Sequence, residues 1–300
     1  MRFAYLIMAH AAPMQLDALI DRLAEGTHDD RIVLHLDRKS ALWRDDRARL
    51  AAHPSGKVVL VERPASVFWA HRTVVTAQHR ALGAGIATGC DYLHLISGAD
   101  WPVVSRAQMI ADIEAAGSLR PAFAGISGEL DGERMEHWWF DDRLFALKGW
   151  PRLSENVARA QTRLSWSFSD LWERIGLSRA RVGGQPWLKG NGWFSLPRDI
   201  ALDVHAETGR LLANGRLLFT QCADEHVMQT LLSRRHADRI AADKRYIDWN
   251  AGGNHPKMLR REDVPAILAS GAWFARKLDL AVDDFFLDRR AFAAPPGVPA

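Results

Sequence analysis

The sequence predicts an α/β fold with one Rossmann-like, mostly parallel sheet flanked by helices. Short apolar runs alternate with segments of helical periodicity through the first 116 residues, a pattern typical of parallel strands joined by crossover helices. The same alternation returns after residue 192. No internal repeat and no linker divides the chain, so its 300 residues fit a single domain.

The individual elements follow from apolar periodicity and from helix-start residues. FAYLIMA is a short apolar run, and QLDALIDRLA has apolar residues at helical spacing. Ser105 stands where a helix would need its N-cap. The predicted strands are 3–9, 32–37, 57–62, 91–97, 192–197 and 245–249. The predicted helices are 15–24, 41–52, 72–84, 105–116, 198–213, 224–234 and 263–270.

The middle of the chain, from about residue 121 to 190, is less regular. It is rich in Trp, Arg and Phe and contains the run WWFDDRLF. We interpret this stretch as an insertion that shapes a cleft within a domain spanning residues 1–290. The Ala- and Pro-rich tail, residues 291–300, is expected to be disordered.

The composition excludes several classes of protein. The formal charge is only +3, and no basic run is interleaved with aromatic residues, which argues against nucleic-acid binding. Cys90 and Cys222 are the only cysteines, too few for a disulfide framework or a four-cysteine zinc site. The start MRFAYLIMAH is interpreted as a first strand and not as a signal peptide or membrane anchor. We therefore expect a cytoplasmic protein.

Familiar motifs for phosphate and metal chemistry are missing from the sequence. The run GAGIATG follows a predicted helix and precedes a strand, the reverse of the order in dinucleotide-binding loops. There is no P-loop and no nucleophile elbow. An Asp-x-Asp pair closing a strand, which would hold a divalent ion on a diphosphate, is also lacking. We expect no metal and no other cofactor.

Polar residues follow three of the predicted strands, where ligands bind in open α/β sheets. An acid with two bases suits a ribose or uracil together with a diphosphate, although a solvated turn is the alternative. Gly98 would permit close backbone approach, and Asp100 is either a ligand or a turn residue. The strand-end residues predicted to bind a donor are His10, then Asp37 and Arg38 beside Lys39, and then Gly98 and Asp100 within SGADWP.

Two later segments combine charge with apolar sequence. Asp224 and Glu225 precede the amphipathic run VMQTLL, where the helix macrodipole favours carboxylates for structural reasons alone. A Glu beyond an apolar strand can also face a cleft. The run WFARKLD embeds Arg276 and Lys277 in apolar sequence, and such bases are costly to bury unless they meet anions.

Eight segments together make the sequence resemble the core-2/I-branching glycosyltransferases, a family that also contains the peptide xylosyltransferases. They follow the family order with similar spacing and span almost the whole chain. The segments are YLIMAH, HLDRKS, SVFWAHRTVVTA, YLHLISGADWPV, LKGNGWFSLPRD, ADEHVMQTLL, RYIDWNAGGNHP and FARKLD.

The resemblance implies a GT-A-like fold and metal-independent, inverting transfer of GlcNAc or xylose from a UDP-sugar to a glycan, glycolipid or other hydroxyl acceptor. It implies that Glu225 is the catalytic base, although Ala223 stands where the family usually has proline. It also implies that Lys277 neutralises the diphosphate. A second basic residue is expected on the diphosphate, and three residues of one stretch are candidates for it: Lys257, Arg260 and Arg261.

The acceptor site is less defined by the sequence. Large aromatic side chains stack on sugar rings but also fill cores, so each aromatic candidate has a plain structural alternative. Trp69 is a further residue that could stack on a sugar. The acceptor candidates are Glu133, Trp138, Arg143, Trp193 and Trp249.

The chemistry agrees with the resemblance. Inversion needs one carboxylate to accept the proton of the attacking hydroxyl, and Lys or Arg must stabilise the leaving phosphate when no metal does. The lack of an anchor indicates a bacterial-type enzyme that builds surface polysaccharide or glycolipid, in peripheral contact with the inner membrane face. The alternative is a non-catalytic nucleotide-sugar or glycan-binding protein on the same fold.

Overall fold

The computed structural model contains ten strands in the part of the chain that it describes. The described residues are 1–117, 119–127, 133–139, 171–172, 174–175, 179, 186–250, 255–288 and 290–292. The strands in chain order are β1 (Phe3–Ala9), β2 (Arg31–Leu36), β3 (Val58–Leu60), β4 (Tyr92–Ser97), β5 (Asp100–Pro102), β6 (Ala122–Ile126), β7 (Gly190–Pro197), β8 (Ile240–Ala241), β9 (Arg245–Ile247) and β10 (Phe274–Arg276).

Helices follow most of these strands. The Ser105 hydroxyl accepts a hydrogen bond from the Gln108 N–H (3.1 Å), so the predicted N-cap is confirmed. The α-helices are Pro13–Ala24, Arg47–Ala51, Thr73–Ala87, Arg106–Ala115, Glu133–Glu136, Arg198–Ala213, Val227–Arg235 and Val264–Ala269. A π-helical turn spans Leu42–Asp46, and 3₁₀ turns span Ala223–Glu225, Ala237–Arg239, Arg261–Asp263 and Phe285–Leu287.

Seven strands form the main sheet in the order β3-β2-β1-β4-β7-β6-β8. Strands β3, β2, β1 and β4 are mutually parallel, and β6 is parallel to β8. Strand β7 alone runs against its neighbours β4 and β6. The predicted α/β fold with a mostly parallel sheet and flanking helices is therefore confirmed, and it is consistent with the GT-A-like architecture.

A second, three-stranded sheet has the order β5-β10-β9. Its existence corrects the interpretation of SGADWP as a turn, since Asp100–Pro102 is a strand antiparallel to β10 with Asp100 opposite Arg276. The Gly and Pro residues punctuate this segment like a turn, while its pairing partner lies more than 170 residues away. The predicted strand 245–249 also belongs to this small sheet, as the shorter Arg245–Ile247.

Two predicted boundaries need correction. The predicted start of the insertion, at about residue 121, is too early, because Ala122–Ile126 is a strand of the main sheet. The disordered tail expected from residue 291 also begins too early. Ala291 and Phe292 pack on the core, with the Phe292 ring 5.8 Å from that of Phe285. Residues 293–300 and 140–170 lie outside the described part of the chain.

The core occupies both faces of the main sheet. Side chains of a strand alternate between faces, so in β1 Phe3 and Tyr5 join one buried cluster while Ala4 and Leu6 join the other. Each such large apolar side chain contributes about 1.5–3 kcal/mol on burial. Among the described residues, every helix is too short or too polar to traverse a lipid bilayer.

Candidate active site

The carboxyl ends of β1, β2 and β4 meet the start of β7 at one edge of the main sheet. The Asp37 N–H donates to the Ala9 carbonyl (2.9 Å), and the Gly98 N–H donates to the Met8 carbonyl (3.0 Å), so the three strand ends lie side by side. Since β7 is antiparallel to β4, its first residues lie beside the last residues of β4. This edge is where an open α/β sheet binds its ligand.

Glu225 lies in a 3₁₀ turn that adjoins this edge. The prediction placed it in the first turn of a helix 224–234, but that helix begins only at Val227. His226 interrupts the chain with φ −125° and ψ −40°, and its ring bonds the Cys222 carbonyl (3.0 Å). Glu225 is therefore held by a turn of its own and not by the helix.

The turn is fastened directly to the start of β7. Gly192 has φ +75°, and a Cβ there would lie 3.1 Å from the Asp224 carbonyl oxygen, so both the backbone conformation and the close approach favour glycine. Gln78 donates to the Gly192 carbonyl (3.2 Å). With its amide oxygen oriented toward the Gly192 N–H, Gln229 accepts from that N–H (3.1 Å) and donates to the Glu225 carbonyl (3.2 Å). The backbone of Glu225 is thereby fixed to the sheet edge.

The Glu225 side chain meets an arginine that the sequence did not single out. Its Oε2 lies 2.8 Å from Nη1 of Arg134, and the two side chains are 33% and 34% exposed. The carboxylate is thus fixed in direction yet reachable from solvent. Arg134 follows the predicted acceptor residue Glu133 in the chain, and no motif marks it.

A second carboxyl group accompanies Glu225. Burial, and then the charge of Glu225, raises the pKa of Asp224 to about 7. Asp224 is consequently protonated in part at neutral pH, and it adds less than a full negative charge beside the candidate base.

Backbone strain is concentrated around this turn. Four described residues other than glycine have positive φ, and three of them are Ala70 (58°), Phe219 (57°) and Cys222 (48°). The Cys222 N–H, at the head of the turn, donates to the Ala70 carbonyl (2.7 Å). Each such conformation costs about 1–3 kcal/mol and is typical of functional sites.

Exposed aromatic rings border the same loops. Trp138 is 41% exposed, and Trp69, next to Ala70, is 68% exposed. The Trp138 ring lies 6.1 Å from that of Phe219, and the Arg179 guanidinium lies over it at 4.7 Å. Trp138, a predicted acceptor residue, is therefore a fixed and accessible ring near the Glu225 turn.

Lys277 follows β10 and lies at the end of β4. The Leu278 N–H donates to the Ala99 carbonyl (2.9 Å), and Gln15 donates to the carbonyls of both Gly98 and Leu278 (3.0 Å each). Within the described part of the chain, the Lys277 ammonium group makes no hydrogen bond or ion pair, and the side chain is partly exposed. It is a cation available to an anionic ligand.

Arg276 connects the Lys277 segment with β7. Its guanidinium lies 4.3 Å from the Trp193 ring centroid, and its Nη1 lies 3.2 Å from Oδ1 of buried Asp100. Trp193 directly follows Gly192, on which the Glu225 turn packs. The candidate base and the segment that carries the candidate phosphate anchor therefore adjoin the same short stretch of β7.

The two predicted donor-binding acids have their carboxylates turned inward. Asp100 accepts from the N–H (2.7 Å) and hydroxyl (2.8 Å) of Ser97. Asp37 accepts from the Lys39 N–H (3.0 Å) and pairs with its ammonium group (2.5 Å). Both acids stabilise the turns that carry them, and their contact with a nucleotide stays a prediction.

The remaining donor candidates differ in their surroundings. His10 and Arg38 are exposed at the sheet edge, as expected. Lys257 pairs with Asp263 at 2.6 Å, whereas the exposed Arg261 uses its backbone N–H to bond Asp283 (3.0 Å); the neighbouring Arg260 is also exposed. The two lysines therefore differ: Lys257 forms an ion pair, whereas Lys277 forms none with the described residues.

The other acceptor candidates are scattered. Trp193 is partly buried, and Trp249 is 52% exposed beyond β9. Arg143 and the Glu133 side chain lie outside the described residues. In the described ranges, no three His, Cys, Asp or Glu side chains converge as metal ligands would.

A comparison with protein families finds a similarity in the second half of the chain. Residues 159–268 match the family model described as Core-2/I-Branching enzyme. The matched span includes β7, the Glu225 turn and β9, and it ends before Lys277. The comparison with curated proteins gives no match. The matched residues are therefore similar to the core-2/I-branching enzymes, a family of glycosyltransferases.

Proposed function

We propose that this protein is an inverting, metal-independent glycosyltransferase. It moves GlcNAc or xylose from a UDP-sugar to a hydroxyl group of a glycan or glycolipid. The acceptor oxygen attacks the anomeric carbon as the bond from that carbon to the β-phosphate oxygen breaks. The hydroxyl proton passes to Glu225, and UDP departs with the bonding electron pair.

One observation carries this proposal. The partly exposed carboxylate of Glu225 and the segment that carries the unengaged Lys277 adjoin the same stretch of β7, through Gly192 for Glu225 and through the contact of Arg276 with Trp193 for Lys277. A base and a phosphate anchor at one sheet edge are the two groups that inverting transfer needs. A ligand-binding protein without catalysis would have no use for the base.

In this proposal, positively charged side chains stabilise the UDP leaving group. Charge builds on the β-phosphate as the glycosidic bond breaks, and a preorganised Lys or Arg stabilises that charge by a few kcal/mol. Lys277 is the principal residue in this role, with Arg276 beside it. His10, Arg38, Gly98 and the exposed Arg261 are candidates for further contacts with the nucleotide.

The acceptor binds on the side of the site formed by the loops around Glu225. Trp138 supports this assignment best, because it is accessible and is held by Phe219 and Arg179. An aromatic face of this kind stacks on the apolar C–H face of a sugar ring. Glu133, Arg143, Trp193 and Trp249 remain weaker candidates for acceptor contacts.

Glu225→Gln tests the proposal. The variant keeps the shape of the side chain but cannot accept the proton, so UDP release with the best donor–acceptor pair should fall by at least about a hundredfold. UDP affinity, measured by calorimetry, should change little. Glu262→Gln, at an exposed site, is the control. Near-normal turnover of Glu225→Gln would remove Glu225 from its role.

Two further outcomes bear on the mechanism. Activity should survive EDTA, and a strict need for Mn²⁺ would refute metal independence. If no UDP-sugar is turned over with any glycan although UDP binds, a non-catalytic binding protein becomes the better description.

A further inference from the structure

We propose that Arg134 is a positioning residue for the base: it holds one carboxylate oxygen of Glu225 and leaves the other to the acceptor hydroxyl. This inference rests on the proposed function of Glu225. Arg134 lies in no recognisable motif, and its role is argued from the contacts of the segment that carries it.

Arg134 is tied to the Glu225 loop by both its backbone and its side chain. The Gln221 N–H donates to the Arg134 carbonyl (2.9 Å), and a few residues on, the Trp139 N–H donates to the Phe219 carbonyl (2.8 Å). These two bonds lay the segment along the loop that leads to Glu225. The ion pair of 2.8 Å therefore joins two segments of the chain whose relative position is already fixed by backbone hydrogen bonds.

The Glu225 side chain needs such a partner. Hydrogen bonds to Gln229 and Cys222 fix its backbone only, whereas a carboxylate on a flexible stem must point at the acceptor to act as a base. Nη1 of Arg134 engages Oε2, so Oε1 is left for the proton. Arginine suits this task because its planar guanidinium directs a charge-assisted hydrogen bond.

Arg134 also acts on the acid next to the candidate base. Asp224 directly precedes Glu225, and the charge of Glu225 disfavours ionisation of Asp224. Burial and Glu225 raise the pKa of Asp224, and Arg134 lowers it. Without the guanidinium, Asp224 would hold its proton to higher pH, and Glu225 would lose the positive charge beside its carboxylate.

Among the described residues, only Arg134 forms an ion pair with Glu225. Strand β7 contains no ionisable residue. The helices Thr73–Ala87 and Val227–Arg235 also pack on the turn. Their titratable groups, and His226 beside the turn, either bond other residues or lie far along the helix. They are His79, which stacks on His205, Arg80, which bonds the Arg63 carbonyl, Arg234 and Arg235 at the far end of their helix, and His226, which bonds Cys222.

The test compares Arg134→Gln and Arg134→Lys over a range of pH. In Arg134→Gln, kcat/KM should fall at least about tenfold, since small misplacements of catalytic groups cost this much or more. The acid limb of the pH profile should also move to higher pH. Arg134→Lys should recover most of the activity and return the limb toward its original pH. UDP affinity should stay within about twofold of the original.

Arg179→Gln is the matched structural control. Arg179 anchors the same loop through the Arg216 carbonyl (2.6 Å) but does not contact Glu225. Its loss should lower activity without moving the acid limb. A uniform fall in Arg134→Gln with an unmoved limb, or no recovery in Arg134→Lys, would overturn the inference. An active Glu225→Gln would instead refute the proposed base itself.

Discussion

The side-chain amide of Gln15 donates a hydrogen bond to the Leu278 carbonyl at 3.0 Å, across 263 positions of the chain. The same nitrogen donates to the Gly98 carbonyl (3.0 Å), and the Gln15 oxygen accepts from the Leu280 N–H (3.0 Å). Gln15 itself is only 3% exposed. One buried amide therefore fixes the segment that carries Lys277 against the end of β4.

Gln15→Ala should loosen the Lys277 segment. Three backbone groups lose a partner, in one buried and two partly buried hydrogen bonds, so stability should fall by about 2–4 kcal/mol, and UDP affinity should fall with it. Thermal unfolding and UDP calorimetry measure the two effects. Gln108→Ala, which removes an exposed amide bonded to Asp112, should change neither. Unchanged UDP affinity in Gln15→Ala would show that Gln15 does not position Lys277.

Lys277→Ala should weaken UDP binding more than Lys257→Ala. Loss of the unengaged ammonium group at Lys277 should raise the Kd for UDP about tenfold, equivalent to about 1.4 kcal/mol. Lys257 already pairs with Asp263, so its loss should lower stability more than affinity. Titration calorimetry of both variants decides between them. Equal losses of affinity would place both lysines on the diphosphate.

Asp224→Asn should stabilise the protein in mildly alkaline solution. The folded pKa of Asp224 is raised to about 7, so its favourable contribution exists at low pH and is lost as pH rises from about 4 through 7. The variant should exceed the original protein by about 1–3 kcal/mol at pH 8, and the gain should shrink at pH 5. Denaturant unfolding at both values measures it.

The exposed Asp29→Asn serves as the control for this change. It should give no pH-dependent gain. An equal gain at pH 5 and pH 8 in Asp224→Asn would point to packing and not to ionisation as its cause.

The stacked rings of His79 and His205 should make the fold sensitive to acid. The rings are 4.0 Å apart with an interplanar angle of 7° and join the helices Thr73–Ala87 and Arg198–Ala213. Burial lowers the pKa of His79 to about 4 and also lowers that of His205. The neutral pair contributes fully above about pH 6.5, and that contribution is lost as pH falls toward 4.

His79→Phe keeps an aromatic ring and removes one titrating group. The decrease in Tm between pH 7.5 and pH 4.5 should therefore be smaller than in the original protein, by an amount equivalent to about 1 kcal/mol. The exposed His28→Phe should leave the decrease unchanged. If His79→Phe loses as much Tm as the original protein, the pair is not the acid-sensitive element.

Most of the fold could be predicted from local sequence patterns. The helix Arg198–Ala213 and the strand Phe3–Ala9 match their predicted ranges, because each has a long periodic or continuous apolar pattern. The strands Asp100–Pro102 and Phe274–Arg276 were missed. Each has three residues and becomes a strand through pairing with distant segments, Asp100–Pro102 with Phe274–Arg276 and the latter also with Arg245–Ile247, which no local pattern reveals.

The candidate site divides in the same way. Glu225 and Lys277 are predicted because each lies in a segment that resembles the family, and both are partly exposed in the structure; their roles stay predictions. Arg134 and Gln15 were not found. Their roles depend on partners 91 and 263 positions away, and neither residue type is unusual where it occurs.

The α/β order of elements, the family resemblance and the candidate base could all be predicted without a structure, because they depend on periodicity and on short segments in a fixed order. Which charged side chains form ion pairs could be learned only from the folded chain. Among the described residues, the Lys277 ammonium group forms no ion pair, whereas Lys257, Asp37 and Asp100 each form one. That distinction is set by distances between residues far apart in the chain, and folding alone fixes those distances.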